Sequence, residues 1–320
     1  MDRSEWLPVG TDVVSRKELK EYMVRNNHTG LIHFAVHIGA IVAVGTFLWL
    51  TPFAWWTIPV MFVQGAMIAF LYACMHECIH SSAFKTRRLN TIIGRIGAMI
   101  IMRPFLYSKY RHMAHHTFTQ HPEGDPDQVA FPRNFREYFL HVSSYNIWHR
   151  MLGNLYFLSL GRFSEEEREF IPDNELRNVA NEARLMVATY IVIAILSVWF
   201  QSWLAVYVWV LPRILGEPAL RAVRMIEHTG MAESPNMLEN TRTTHTNWFV
   251  RFFYWNMPYH AEHHLYPSVP FHALPRLHEE KVKEHLAEVA PGILYVHYKV
   301  LKRLLTAKNA AASNGSEARS

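Results

Sequence analysis

The stretch LMVATYIVIAILSVWFQSWLAVYVWVLPRILG, residues 185–216, decides the fold. No charged residue of either sign occurs between Arg184 and Arg213. A helix that crosses a membrane needs about 20 mostly apolar residues, so the stretch can be one long, tilted span over 185–211. It can equally be two short legs, residues 185–200 and 203–216, turned at Gln201-Ser202. One span sends the flanking sequence to opposite sides of the bilayer, whereas a hairpin returns it to the same side. Hydropathy alone permits both.

A second apolar window lies nearer the start. No Lys or Arg occurs between Arg25 and Lys85, and Glu77 is the sole acid there. It holds two crossings, near residues 31–50 and 55–75, with Thr51-Pro52 as the break. Basic residues precede the first hairpin, separate the two and follow the second, while the outer turns carry none. That is the positive-inside pattern, and it places both termini and the central loop in the cytoplasm. It also accounts for a net charge of +5 without a nucleic-acid partner. The first 25 residues are mixed polar, unlike a secretory signal. Residues 1–29 read as a cytoplasmic lead-in, with an amphipathic helix near 15–24 on the membrane surface. Residues 135–163 alternate aromatics with Arg and His and suit the interface plane. Residues 30–307 form the membrane domain, and the small, polar tail 308–320 is expected to be disordered. Cys74 and Cys78 read as small core residues of a reduced compartment.

The chain has 20 histidines, and their arrangement matters more than their number. His76-Glu77-Cys78-Ile79-His80 ends the second apolar run. His112-Met113-Ala114-His115-His116 lies in the central polar segment, and His260-Ala261-Glu262-His263-His264 follows the second window. Positions i, i+3 and i+4 share a helix face, so each box aims its imidazoles one way. Imidazole suits Fe, Zn, Cu and Ni, and eight convergent imidazoles exceed what one ion can hold. A pair of metal ions is the natural reading. A shared site needs all three boxes on one side of the membrane, which selects the hairpin at 185–216. His33, His37, His141 and His149 read instead as ordinary satisfied polar residues. Glu77 and Glu262 read as acids that orient a ligand imidazole.

Two other functions compete. His76-Glu77-x-x-His80 also matches the H-E-x-x-H signature of zinc metalloproteases. A catalytic zinc takes three protein ligands and an open position, which would leave both HxxHH boxes idle. A metal store or carrier is the non-enzymatic alternative.

The three boxes, in this order between apolar hairpins, resemble the membrane fatty acid desaturase and hydroxylase superfamily, on its bacterial acyl-lipid branch. Residues 112–127, HMAHHTFTQHPEGDPD, are similar to its second box with the following Asp-Pro-Asp segment, and residues 256–267, NMPYHAEHHLYP, to its third. The resemblance covers residues 75–277. It implies an all-α integral membrane protein of four transmembrane helices in two hairpins, under a cytoplasmic helical cap that holds a di-iron site. It implies two iron ions, dioxygen as co-substrate and a lipid or lipid-like substrate. It also implies electrons from an external donor of the ferredoxin or cytochrome b5 type. A further ligand is implied before the third box, and Arg224–Gly230, RMIEHTG, offers His228. The implied set is His76, His80, His112, His115, His116, His228, His260, His263 and His264. Desaturation is the expected outcome, with hydroxylation or ketolation of a lipid, carotenoid or small metabolite as the alternative. Two departures stand out. The sequence stops soon after the third box, so an appended electron-carrier domain is not expected. The first box has three intervening residues where acyl-CoA desaturases have four.

Overall fold

The computed structural model describes residues 6–317. Short helix α1, Arg16–Tyr22, starts where Ser15 and Glu18 cap each other's backbone N–H groups. Long helices α2, Asn27–Leu50, and α3, Thr57–Ile79, follow. Next come α4, Arg87–Ile101, and α5, Phe105–Phe118. The smaller helices α6, Phe135–Val142, α7, Tyr145–Ser159, and α8, Glu165–Phe170, lead to α9, Leu176–Trp199. Then come α10, Leu211–His228, and α11, Met237–Asn240. Helices α12, Trp248–Phe253, α13, His260–Leu265, and α14, Leu274–Leu277, precede the final α15, Ile293–Glu317. Two short strands, β1, Thr243–Thr244, and β2, Val289–Ala290, pair in parallel.

Among the described residues, α2, α3 and the helical stretch Asp173–Trp199 are long and apolar enough to cross a membrane. Helix α3 is buried over most of its length. By contrast, α2 exposes Val36, Val42 and Phe47, and α9 exposes Ile191, Ile195 and Val198. Apolar surface on that scale marks a lipid boundary. Trp49, Phe53 and Trp55 at one turn, and Trp199, Phe200 and Trp203 at the other, are exposed aromatics. They form the kind of belt found where bilayer meets water.

The expected span 203–216 is not a separate helix. It is the first half of one continuous helical rod that widens over Val206–Val210 and runs on through α10. Glu217, Arg221 and Arg224 make its second half too polar to count as an apolar crossing, and Arg213 already lies in the first. Between α4 and α5 the chain bends by 100°. Met102 adopts a left-handed φ of 62°, and Pro104 cannot continue a helix. This bend turns the second histidine box inward.

The core surrounds α3, packed by α2, α4 and α10. Where α3 crosses α10, Gly65 meets Gly216 backbone to backbone. A Cβ on Gly65 would sit 1.6 Å from the Pro212 carbonyl oxygen, and one on Gly216 only 1.9 Å from the Gly65 carbonyl carbon. Small residues at such crossings let helices approach closely in lipid. Helix α15 docks on α10 through His297, which bonds the Ala222 carbonyl at 3.0 Å and the Tyr138 hydroxyl at 2.9 Å.

Two expectations about the ends meet a different structure. Helix α1 buries Tyr22 in a cluster with Tyr259, Leu265 and Leu274, so its apolar side faces protein rather than lipid. The tail is helical as far as Glu317, because Ala310, Ala311 and Ala312 favour helix over coil. Residues 318–320 of that expected tail lie outside the described residues.

Candidate metal centre

Four segments deliver histidines to one place. His76 sits in the last turn of α3 and His80 caps its end. The bend before α5 swings His112, His115 and His116 beneath them. His228 closes α10, and α13 carries His260, His263 and His264. All nine nominated imidazoles gather in two groups: His76, His80, His112, His116 and His263, and His115, His228, His260 and His264. Within each group the candidate ligand atoms all lie within 4.8 Å of one another.

Helix periodicity explains the partition. In α5, His112 and His116 are one turn apart and face the first group, while His115 faces the second. Helix α13 does the reverse, sending His260 and His264 to the second group and His263 to the first. Each HxxHH box therefore spans both groups, in opposite proportion.

The donor chemistry fits cations. In the first group, Nε2 of His112 stands 2.8 Å from Nε2 of His80 and 2.9 Å from that of His116, which stands 3.2 Å from that of His263. In the second, Nε2 of His260 is 3.1 Å from that of His228 and 3.2 Å from that of His264. A neutral imidazole carries one N–H, so such clusters cannot satisfy themselves. Both ring nitrogens of His76, and Nδ1 of His112, His260 and His263, are buried without a hydrogen-bond partner. Nitrogen ligands about 2.1 Å from a metal at right angles stand about 3.0 Å apart, close to these spacings. Burial pushes His112, His116, His260, His263 and His264 well below the ordinary histidine range, and His228 down to about 3. They therefore stay neutral, the form that offers a lone pair.

The sequence model described as Fatty acid desaturase matches residues 53–298, most of the chain. The chain belongs to the fatty acid desaturase family. An acyl-lipid omega-3 desaturase (cytochrome b5) of the endoplasmic reticulum from Arabidopsis thaliana is 24% identical over 261 residues. That alignment covers 75% of this chain and 65% of the plant protein, just under two thirds of the relative's length. An sn-1 acyl-lipid omega-3 desaturase (ferredoxin) from Synechocystis is 22% identical over 260 residues, or 73% of this chain and 70% of that one. A dihydrorhizobitoxine desaturase from Bradyrhizobium elkanii is 24% identical over 291 residues, or 84% and 79%.

In this desaturase-family chain, partners of the imidazoles hold several of them in place. His115 Nδ1 donates to Asp125 Oδ1 at 2.8 Å, His228 Nδ1 to the Asn240 carbonyl at 3.2 Å, and His264 Nδ1 to Thr119 Oγ1 at 3.2 Å. Burial lowers the affinity of His115 for a proton, but the Asp125 carboxylate outweighs it and the net shift is upward. Glu77 Oε1 faces His263 Nδ1 at 3.8 Å, while Oε2 accepts from Ser82 Oγ at 2.8 Å and the Phe271 N–H at 3.1 Å. Glu77 thus ties the end of α3 to Ser82 and Phe271 through one oxygen and presents the other toward His263.

Glu262 departs from expectation. It touches none of the nine imidazoles. Its oxygens accept from His278 Nδ1 at 2.6 Å and Thr243 Oγ1 at 2.5 Å, tying α13 to α14 and β1. Glu227, to which the sequence assigned no role of its own, lies 3.6 Å from His260 Nε2 and accepts from the Tyr254 hydroxyl at 2.9 Å. Burial pushes it up to about 7 against the opposing pull of Arg224 and Tyr254. His33 and His37 behave as ordinary residues, bonding the Phe252 and Met67 carbonyls, both at 2.9 Å.

Proposed function

We propose that this protein is a membrane oxidoreductase that uses a pair of iron ions and dioxygen to desaturate a lipid or lipid-like substrate. The observation that carries the proposal is the partition of nine imidazoles, eight buried and that of His80 half-buried, into groups of five and four. The five are His76, His80, His112, His116 and His263; the four are His115, His228, His260 and His264. Two irons bound there supply reductive activation of dioxygen and attack on an unactivated C–H bond. The chain supplies imidazole ligands, the Asp125, Asn240 and Thr119 contacts that orient three of them, and a site shielded from water. The names of the relatives, citing cytochrome b5 and ferredoxin, support a separate electron-carrier protein as donor. Desaturation is favoured over hydroxylation because the named relatives are desaturases; the two outcomes share one ligand set.

Residues 204–216 form the fourth crossing, and the histidines and both termini face the cytoplasm. Basic residues clustered away from the aromatic turns support that orientation. Cysteines introduced at exposed Glu166 and Gln201 should react with impermeant reagents from opposite sides of the membrane. Reaction from one side would refute the hairpin.

The functional test has two parts. Purified protein should bind two irons per chain and consume oxygen only with both substrate and reductant. Lipids and small metabolites from expressing cells should show products lighter by two hydrogens. A purified, active protein carrying one zinc and no iron would overturn the proposal. Oxygen consumption indifferent to substrate would favour a metal carrier.

A further inference from the structure

A cavity of about 510 Å³ opens beside the histidines, within the range of roughly 300–1,000 Å³ that holds one small molecule. His112 lines it, as do Tyr72, Met75 and Ile79 of α3, and parts of α6 and α7 close its far side. Charge sets it apart. Arg103, Arg111, Arg221 and Arg224 all line it. Together with Arg213 they share only three carboxylates. Glu217 pairs with Arg213, with Arg221 at 2.9 Å and with Arg103 at 3.5 Å. Asp127 pairs with Arg111 at 2.9 Å and Arg224 at 3.8 Å, and Glu227 with Arg224 at 3.9 Å. Five guanidiniums against three acids leave two positive charges unmatched. At the rim, Arg133 and Glu137 neutralise each other at 2.6 Å, while exposed Arg150 adds another cation.

Part of the excess is buried. Arg221 is only 3% exposed, and its Nη2 has no hydrogen-bond partner; nor has Nε of Arg103. A buried guanidinium donor left unpaired is unfavourable until an anion meets it. The Tyr72 ring lies 4.6 Å from the Arg224 guanidinium and 5.7 Å from that of Arg103. The same ring is 6.0 Å from the His76 ring. Tyr72 therefore lies near both the cationic end of the cavity and the imidazoles, and His112 lines the cavity directly.

The geometry points to this cavity as the seat of a carboxylate, so that the substrate is a single-chain organic acid. Its oxyanion meets Arg103, Arg221 and Arg224, and its alkyl chain runs past Tyr72 toward His112. This names the substrate class for the oxidation proposed above and rests on that reading. An acyl group esterified within a diacylglycerolipid carries no charge at that end and would leave the cations unmatched. A phosphate would also suit guanidinium forks, so the test must separate a free acid from an anionic lipid headgroup.

Full-length protein in neutral detergent, with its iron content measured in parallel, is titrated calorimetrically with decanoate, decanol and dioctanoyl phosphatidic acid. Decanoate should bind saturably and at least about 10-fold more tightly than decanol. Arg221→Gln should weaken decanoate by about 10- to 100-fold while leaving decanol unchanged, as expected for loss of one charged hydrogen bond. Because Arg221 also holds Glu217, Arg150→Glu serves as a second variant that disturbs no buried pair. It should weaken decanoate by about 3-fold or more, with the effect shrinking as salt rises. Equal affinity for acid and alcohol, parental affinity in both folded variants, or tighter binding of the phosphatidic acid would each overturn the inference. Binding needs neither electrons nor oxygen, so the two proposals fail separately. Iron-loaded protein that ignores the carboxylate sinks only this one; acid-selective protein that binds no iron sinks only the function proposed above.

Discussion

Asp125→Asn isolates one metal position from the other. Asp125 receives three donors: His115 Nδ1 at 2.8 Å and the Asp127 N–H at 2.8 Å on Oδ1, and the Gln120 N–H at 2.9 Å on Oδ2. An asparagine has one acceptor oxygen, so its amide must either face the Gln120 N–H donor to donor or abandon His115. In both cases the charge behind the imidazole is gone. A hydrogen bond to a charged group contributes about 1.5–3 kcal/mol, which corresponds to about 10- to 100-fold in equilibrium terms. Loss of partners behind metal-bound histidines falls in the same range, about 10- to 100-fold in metal affinity. His115 belongs to the group of four, so only that position should weaken. The assay is iron per chain after dialysis against graded chelator. The parent should release iron late; the variant should lose one iron at about 10- to 100-fold less chelator and hold the other like the parent. Parental retention of both irons, or simultaneous loss of both, would refute the reasoning.

Other substitutions probe the same architecture. His263→Ala should deplete the five-imidazole position and His228→Ala the four-imidazole position, each abolishing turnover; iron per chain and product formation check both. Glu262→Gln keeps only one acceptor for His278 and Thr243, so it should destabilise the fold by about 1–3 kcal/mol, read as earlier thermal aggregation, while folded protein still binds two irons. Gly216→Leu should prevent α3 and α10 from meeting and leave no monodisperse protein on size-exclusion chromatography, whereas Gly39→Ala, which meets nothing within 4 Å, should behave as the parent.

Much of the site was legible because its signal is local. The i, i+3, i+4 spacing of His112, His115 and His116 is visible in five letters, and the same holds for His260, His263 and His264. Windows with one charge or none likewise marked the long helices. His228 was a weaker case, since nothing beside it but Glu227 announces it; family resemblance alone raised it. What stayed hidden depends on approach in three dimensions. Asn240 acts through its backbone carbonyl, which no side-chain pattern encodes. Asp125 lies ten residues beyond His115 and reaches it only because the chain turns back after α5. Glu262 lies inside a histidine box as Glu77 does, but one position later, and it turns toward His278, which follows α14, rather than toward any of the nine clustered imidazoles. The 203–216 segment looked like a short crossing because its polar continuation, Glu217 to Glu227, belongs to a different environment but to the same helix.

The Gly65–Gly216 contact has a consequence for assembly. From that crossing, His76 lies eleven residues along α3 and His228 twelve along α10, or about 16.5 and 18 Å at 1.5 Å per residue. The two rods thus measure nearly equal lengths from a common pivot to the level where the irons would sit. Inserting one alanine between Gly216 and His228 would advance that imidazole by about 1.5 Å and swing it by about 100°. The crossing therefore works as a gauge block: it fixes how far along both rods the two histidine groups sit, and under the proposed function it would set how deep a chain must reach to be oxidised.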